Sequence, residues 1–429
     1  MTVQVDESAE IAAVRAEARA WIDANWDPDL TLGEWWKLLL DSGWGQPTWP
    51  REWFGRDVPA QAVAAVADEF RRAGAAMGPY GVHTMMAGPA ILEHGTDEQK
   101  RRFLIPMLLG EDEWCQLFSE PGAGSDLASL STKAERDGDV WRLTGQKVWT
   151  SLAGFAKWGF CLARTDADLP KHRGITYFLV DMEQDGIEVR PLREMTGGAS
   201  FNEVFLDGVA VAPENVLGEV NGGWRVAMTT LSHERQSMGA VGDAGGGEVY
   251  GKAPLGARAG DVAGKAHQQR ARRVVMGNNA WPLMRELVGA VPGGAGAVDR
   301  GRAAELYSLL EVTRFTRLRN QAMQALGRNP GPAASVGKLA TARLARRIRD
   351  LSLSLAGPAA MLAGDDAPYT GLLTEMALFS PSVSIAGGTD EVQRNIVGER
   401  VLGLPREPQV DRDRSFREQQ QQQREAPQS

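Results

Sequence analysis

The hydrophobic positions change period twice along the chain, and the changes separate a helical segment, a stranded segment and a second helical segment. Residues 7–24 are rich in Ala, Glu and Arg, and Pro59 opens another Ala-rich run to about Ala73, both favouring helix. Thr96 with Gln99 three residues on makes a capping box, which predicts a helix through Arg102 and Leu104. From about Trp114 to Val211 short β-prone runs take over. They are Val140–Thr150 with a break at Thr144-Gly145, Trp158–Ala163, Ile175–Val180, Ile187–Val189 and Phe201–Leu206. Asp-Gly pairs at Asp137-Gly138, Asp185-Gly186 and Asp207-Gly208 punctuate these runs as hairpin turns do. A small antiparallel sheet or barrel is the expectation. Beyond Gly223 the helical period returns. Val336, Leu339, Leu344, Ile348, Leu351 and Leu355 form an apolar stripe, with Arg343, Arg346 and Arg347 mainly off it.

Composition narrows the classes without choosing among enzymes. A chain of 429 residues, 43% hydrophobic and 24% charged, can bury a large core. Its 47 basic and 55 acidic residues give −8 with no basic stripe, which argues against nucleic acid. No apolar run reaches the roughly 20 residues of a membrane span, and Met1–Glu10 lacks the layout of a signal peptide, so a cytoplasmic protein is expected. Cys115 and Cys161 have no metal-type spacing and read as two reduced, buried thiols; no metal site is expected. Seven of the 13 tryptophans precede residue 54 and read as core packing. The glycine-rich stretches Gly242–Gly247 and Gly293–Gly296 follow no strand and do not read G-x-G-x-x-G, which excludes a Rossmann site there. After Leu404 the Gln- and Arg-rich tail is expected to be disordered or a frayed helix.

Two short strings carry candidate chemistry. In Phe118-Ser119-Glu120-Pro121-Gly122-Ala123-Gly124-Ser125-Asp126, two glycines and a proline make a tight loop with exposed amides, and Ser125 adds a hydroxyl. Such a loop suits a phosphate or a polar ring edge, or is simply a structural turn. In Lys147-Val148-Trp149-Thr150-Ser151 a strand ends in an indole beside two hydroxyls, which suits a flat cofactor or a core tryptophan.

Ser119–Asp126 together with Gly145-Gln146-Lys147-Val148-Trp149 strongly resembles the acyl-CoA dehydrogenase family. The resemblance extends through His94-Gly95-Thr96, Arg190-Pro191-Leu192, Asn202-Glu203-Val204-Phe205, Gly387-Gly388-Thr389 and Gln393-Arg394. It implies an α+β, mostly α fold: an N-terminal helical domain (1–113), a central antiparallel β-barrel (114–222) and a C-terminal four-helix bundle (223–404), followed by the tail (405–429). It implies FAD between barrel and bundle, an acyl-CoA substrate, and an electron-transfer flavoprotein as electron acceptor. Gln116, Phe118 and Ser119 match positions edging the flavin, and Gly124 and Ser125 the turn near cofactor and pantetheine arm. Trp149, with Thr150 beside it, matches the residue packed on the ring, and Ser151 a hydroxyl reaching flavin N5. Thr389 and Glu391 match the ribityl and diphosphate region, Glu391 standing where the family has glutamine.

The catalytic base follows from a substitution. The reaction removes a proton alpha to a thioester while hydride leaves the beta carbon, so a carboxylate must sit about 3 Å from the alpha carbon. Most of the family places this glutamate just before a Gly-Thr pair, where this chain has Gly387. A minority carries it on the first long helix of the bundle, before an arginine; here that string is Leu231-Ser232-His233-Glu234-Arg235, so Glu234 is the expected base. Ser232 and Arg235 match positions near CoA, with helix-surface packing as the alternative; Gly387 keeps an N–H that could polarise the thioester oxygen, and Gly388 beside it is counted with the substrate site. His172 and His233 read as structural histidines.

Two further departures concern the cofactor. The family's Arg-x-x-Phe-Gly, which holds a neighbouring subunit's flavin diphosphate, occurs only at Arg51–Gly55, in the N-terminal segment. The adenine-side glutamine is missing from Leu355-Ala356-Gly357-Pro358. A homo- or hetero-oligomer is expected, dimer or tetramer, and the missing arginine favours a subunit that shares its cofactor site with a different chain. A flavin oxidase or monooxygenase on the same fold is the remaining alternative.

Overall fold

The computed structural model describes residues 8–240, 254–265, 280–291, 294–325, 331–362, 364–406, 408 and 413–425. Helices come first: α1 (Ala9–Asn25), α2 (Leu32–Ser42), α3 (Val63–Ala73), α4 (Gly88–His94) and α5 (Asp97–Leu108). Strands follow: β1 (Trp114–Leu117), β2 (Lys133–Asp137), β3 (Val140–Ser151), β4 (Trp158–Arg164), β5 (Ile175–Asp181), β6 (Ile187–Leu192) and β7 (Phe201–Val211). Helices return with α6 (Gly223–Ala240), α7 (Trp281–Ala290), α8 (Ala297–Ala325), α9 (Ala334–Ala356), α10 (Leu372–Phe379), α11 (Asp390–Arg400) and α12 (Phe416–Glu425). The helix–strand–helix order is the expected one. Among the described residues no helix is long and apolar enough to cross a membrane.

The chain forms two compact units, one of residues 1–78, 235–248 and 254–404, the other of 79–234, 249–253 and 405–429. In the first, α7, α8, α9 and α10 converge on a core that includes Met284, Leu306, Leu310, Leu344, Ile348, Leu351 and Met376. The apolar stripe predicted on α9 supplies its centre, with Arg343 and Arg347 exposed on the opposite side. Near the N-terminus, Glu69 on α3 is buried and accepts from Arg15, Arg19 and Arg72, which hold its carboxyl down at about 2.

The second unit is built on one sheet of order β1-β4-β2-β3-β7-β6, with β5 paired to β4. β4 is buried along its whole length, while β7 alternates between buried and half-buried positions except at the exposed Asp207. Cys115 and Cys161 lie in this core as free, fully buried thiols.

The sheet departs from a purely antiparallel one, because β1 runs parallel to β4, as does the single pair Lys133–Arg164 between β2 and β4. The Asp-Gly pairs also divide by role. Asp137-Gly138 closes the β2–β3 hairpin, with Gly138 at φ 60° in the first turn position. Asp185-Gly186 leads into β6, which pairs with β7 and not with the preceding strand. Asp207-Gly208 lies inside β7, where the register against β3 shifts and Gly208 adopts φ 63°, a bulge and not a turn.

Candidate active site

The Ser119–Asp126 loop is fixed from below by a buried ion pair. Lys147 Nζ lies 2.8 Å from Glu120 Oε1 and also donates to the carbonyls of Phe118 (3.1 Å) and Leu162 (2.8 Å). Glu120 in turn accepts from the amides of Ser131 (2.7 Å) and Thr132 (2.9 Å). Burial alone would push the Glu120 carboxyl up, but the Lys147 charge and these hydrogen bonds outweigh it and hold it at about 2. Reciprocal backbone bonds between Glu120 and Ala123 close the turn, and Val148 N donates to Ser119 O at 3.0 Å. Above this base Gly122, Gly124 and Ser125 are exposed, and a Cβ on either glycine would meet nothing within 4 Å. Protein packing therefore does not require those glycines. Their open side is available to a ligand.

Trp149 is turned outward by a bulge. The register moves from Lys147–Val204 to Thr150–Asn202, so β3 carries one extra residue. Trp149 absorbs it at φ 62°, and its indole is 63% exposed, touching Phe201 edge-on at 6.0 Å between centroids. Leu152 is left-handed too, at φ 63°, so Thr150 and the half-buried Ser151 lie between two strained positions. Such backbone costs on the order of 1–3 kcal/mol per residue and concentrates where ligands are held. Thr150 is different: its side chain is buried and its carbonyl accepts from Asn202 Nδ2 at 2.9 Å. Phe118 is also buried, edge-on to Phe160 and Tyr177.

Glu234 reaches the same unit on α6. The helix can start where it does because Gly223 lies against β5, where a Cβ would sit 2.5 Å from Tyr177 N. Tyr177 Oη and Thr230 Oγ1 are 3.2 Å apart, and His94 Nε2 and Thr229 Oγ1 are 2.9 Å apart, which fixes the rotation of the helix. One turn on, Glu234 Oε2 accepts from Gln116 Nε2 at 3.5 Å, joining two predicted site residues that are 118 positions apart. Burial lowers the pKa of both His94 and His233, with Glu93 opposing in each case. Burial thus favours the neutral form of both imidazoles. Ser232 is half-buried and the Arg235 side chain lies outside the described residues. His172 is exposed, its ring 4.8 Å from that of Trp224.

The remaining predicted residues belong to the first unit. Gly387 and Gly388 are left-handed at φ 66° and 88°, and Gln393 Nε2 donates to Gly387 O at 3.0 Å. Thr389 caps α11, its Oγ1 accepting from Val392 N at 3.3 Å. Glu391 is exposed and paired to Arg394 at 3.0 Å, so an adjacent arginine offsets its charge. Sequence reasoning missed the support of this turn. Asp390 is buried between Lys338 (3.3 Å) and Arg346 (3.0 Å), partners separated by 52 and 44 residues that leave no local signal.

Comparison with known proteins follows the same lines. Profiles of the acyl-CoA dehydrogenase N-terminal, middle and C-terminal domains match residues 8–111, 115–209 and 289–402. Acyl-CoA dehydrogenase FadE34 of Mycobacterium tuberculosis is 42% identical over 86% of this chain, which spans only 46% of that protein. Acyl-CoA dehydrogenase IpdE1 of the same organism is 37% identical over 84% of each chain. Among solved structures, the Tcur3481–Tcur3483 steroid ACAD has a TM-score of 0.69 at 27% identity over 94% of this chain and 99% of that one. The ChsE4–ChsE5 complex of Mycobacterium tuberculosis has 0.68 at 27%, over 94% and 100%. Motifs, fold and relatives agree: the chain belongs to the acyl-CoA dehydrogenase family of oxidoreductases.

Proposed function

We propose that this chain carries out alpha,beta-dehydrogenation of an acyl-CoA thioester with FAD as cofactor and Glu234 as base. The observation that carries the reading is the pairing of Glu234 with Gln116 in a unit that also presents an outward-facing Trp149. The residues fit a flat, polar-edged group: an exposed indole, the Ser151 hydroxyl beside it, and a glycine loop with nothing over it. Bound FAD would supply the acceptor for the beta hydride. Trp149 would support the ring, with Gln116 and Ser119 at its edge. Phe118 and Thr150, both buried, act through packing and the backbone. Gly124 and Ser125 would face the CoA arm, and the motif assigns Ser232 and Arg235 to the same arm.

Glu234 takes the alpha proton onto its carboxylate. Gln116 donates to that carboxylate and so holds its direction. Gly387 has no side chain to act as base, and its positive φ suits glycine alone. For the Gly387–Glu391 turn we propose ligand contact through backbone amides and Thr389. The solved steroid ACAD among the relatives favours a bulky, polycyclic acyl group. Electrons would pass on to an electron-transfer flavoprotein. The ChsE4–ChsE5 complex, and the FadE34 length being about twice the matched part, favour a homologous partner chain.

The deciding experiment is Glu234→Gln followed by stopped-flow flavin reduction with acyl-CoA thioesters. The amide is nearly isosteric, so fold and flavin colour should persist while reduction slows by about 10²–10⁴. Reduction at the wild-type rate would remove Glu234 as base. Rapid reoxidation by oxygen after reduction would redirect the reading to an oxidase.

A further inference from the structure

The tail does not simply trail away, and its anchored part lies in the same unit as the sheet. Ser415 and Glu418 cap α12 reciprocally: Glu418 N donates to Ser415 Oγ (3.3 Å) and Ser415 N to Glu418 Oε2 (3.0 Å). The backbone then pairs with the β4–β5 connection, Phe416 N donating to Leu169 O (3.0 Å) and Arg417 N to Ala167 O (2.9 Å). Arg417 grips Asp168 with two nitrogens, at 2.7 and 3.3 Å. The Phe416 ring is 5% exposed and lies 3.8 Å from the guanidinium carbon of Arg164.

Arg164 gives that ring its purpose. It is buried, and the charges of Glu120 and Asp166 only partly offset the cost of that burial. Burial pushes its pKa down to about 10. Its guanidinium donates to three carbonyls: Lys171 O (2.7 Å), Ala128 O (2.6 Å) and Leu130 O (3.2 Å). A buried cation held by neutral carbonyls gains from an aromatic face, and Phe416 provides it. Ala128 and Leu130 lie just after the Gly122–Asp126 loop, and Lys171 Nζ reaches Asp126 Oδ2 at 3.0 Å. The tail thus connects by two routes to one loop.

We propose that Ser415–Gln419 is a strap that positions the Gly122–Asp126 loop, through Arg164 and through the Asp168–Lys171 connection. Its bearing on catalysis rests on the reading above that this loop faces the CoA arm. Phe416 and Arg417 touch no reacting atom; they are positioning residues. Loosening them should weaken substrate binding and spare the chemical step.

The test uses the full chain with its flavin bound, carrying Phe416→Leu, Phe416→Trp or Arg417→Ala. Hydrogen exchange is read on peptides covering 121–131, and flavin reduction is followed against acyl-CoA concentration. Phe416→Leu keeps apolar volume but loses the aromatic face. It should speed exchange across 122–131 and raise KM up to about thirtyfold, the scale of a desolvated cation–π contact, with the limiting rate unchanged. Phe416→Trp should restore both. Arg417→Ala, on the exposed side, should act in the same direction without disturbing the core. Unchanged exchange in both Phe416→Leu and Arg417→Ala overturns the strap. Faster exchange with unchanged KM upholds the strap and overturns the assignment of the loop to the CoA arm.

Discussion

The Lys147–Glu120 pair shows how much a single side chain supports at this site. Replacing Lys147 with Met leaves a buried carboxylate without its cation, which should cost about 3–5 kcal/mol and lower the melting temperature sharply. The pair also sets a pH limit. Glu120 sits at about 2 in the fold against an ordinary 4.5, so its contribution is complete above pH 4.5 and lost as pH falls toward 2. By linkage that contribution is about 3 kcal/mol, measurable as a Glu120-dependent slope in acid denaturation that Glu120→Gln removes. Gly387→Ala should cost about 1–2 kcal/mol by thermal melt, since φ 66° is strained for any residue with a Cβ. At this scale the sequence was informative where chemistry leaves a mark. That position 387 carries no carboxylate while position 234 carries one could be read from the letters alone. The buried orientation of Thr150 could not, because it depends on a bulge one residue earlier.

Elements were legible where their hydrophobic period was strong. The α9 stripe and the Thr96 capping box appear as expected, but β1 and β2 carry no comparable signal. Trp-Cys-Gln-Leu is too short to show a period, and Lys-Ala-Glu-Arg-Asp is almost wholly exposed, so its pairing is set by neighbours. The tail shows the converse: Ser415-x-x-Glu418 is a readable capping box, masked by its Gln-rich surroundings. The most sensitive junction is the start of α6. Gly223→Ala drives a methyl to 2.5 Å from Tyr177 N, so the helix must lift from β5. That shift should separate Glu234 from Gln116, and the loss of flavin-reduction rate should exceed what the drop in melting temperature explains. A variant with normal reduction kinetics would show that the seat of α6 does not set the base.

For the molecule as a whole, partnership is the open property with the clearest measurement. On α8, Val298, Val312 and Phe315 fall on one face and are 68%, 61% and 58% exposed, an unusual cost for a chain working alone. We expect the chain to purify as an oligomer, and to gain flavin when co-expressed with a homologue that carries Arg-x-x-Phe-Gly in its bundle. Light scattering and the flavin-to-protein absorbance ratio test this directly; a monomer with full flavin content would refute it. The two cysteines offer a further use at the same scale. Both are fully buried in the sheet, and burial pushes the Cys161 thiol up to about 11 and the Cys115 thiol higher still. Neither can meet an alkylating reagent at neutral pH until the sheet opens. With no third thiol in the chain, the labelling rate is a clock for that opening alone. Run beside a far-ultraviolet melt, which is dominated by the helices, it tells whether the sheet and the helical core come apart in one event or in two.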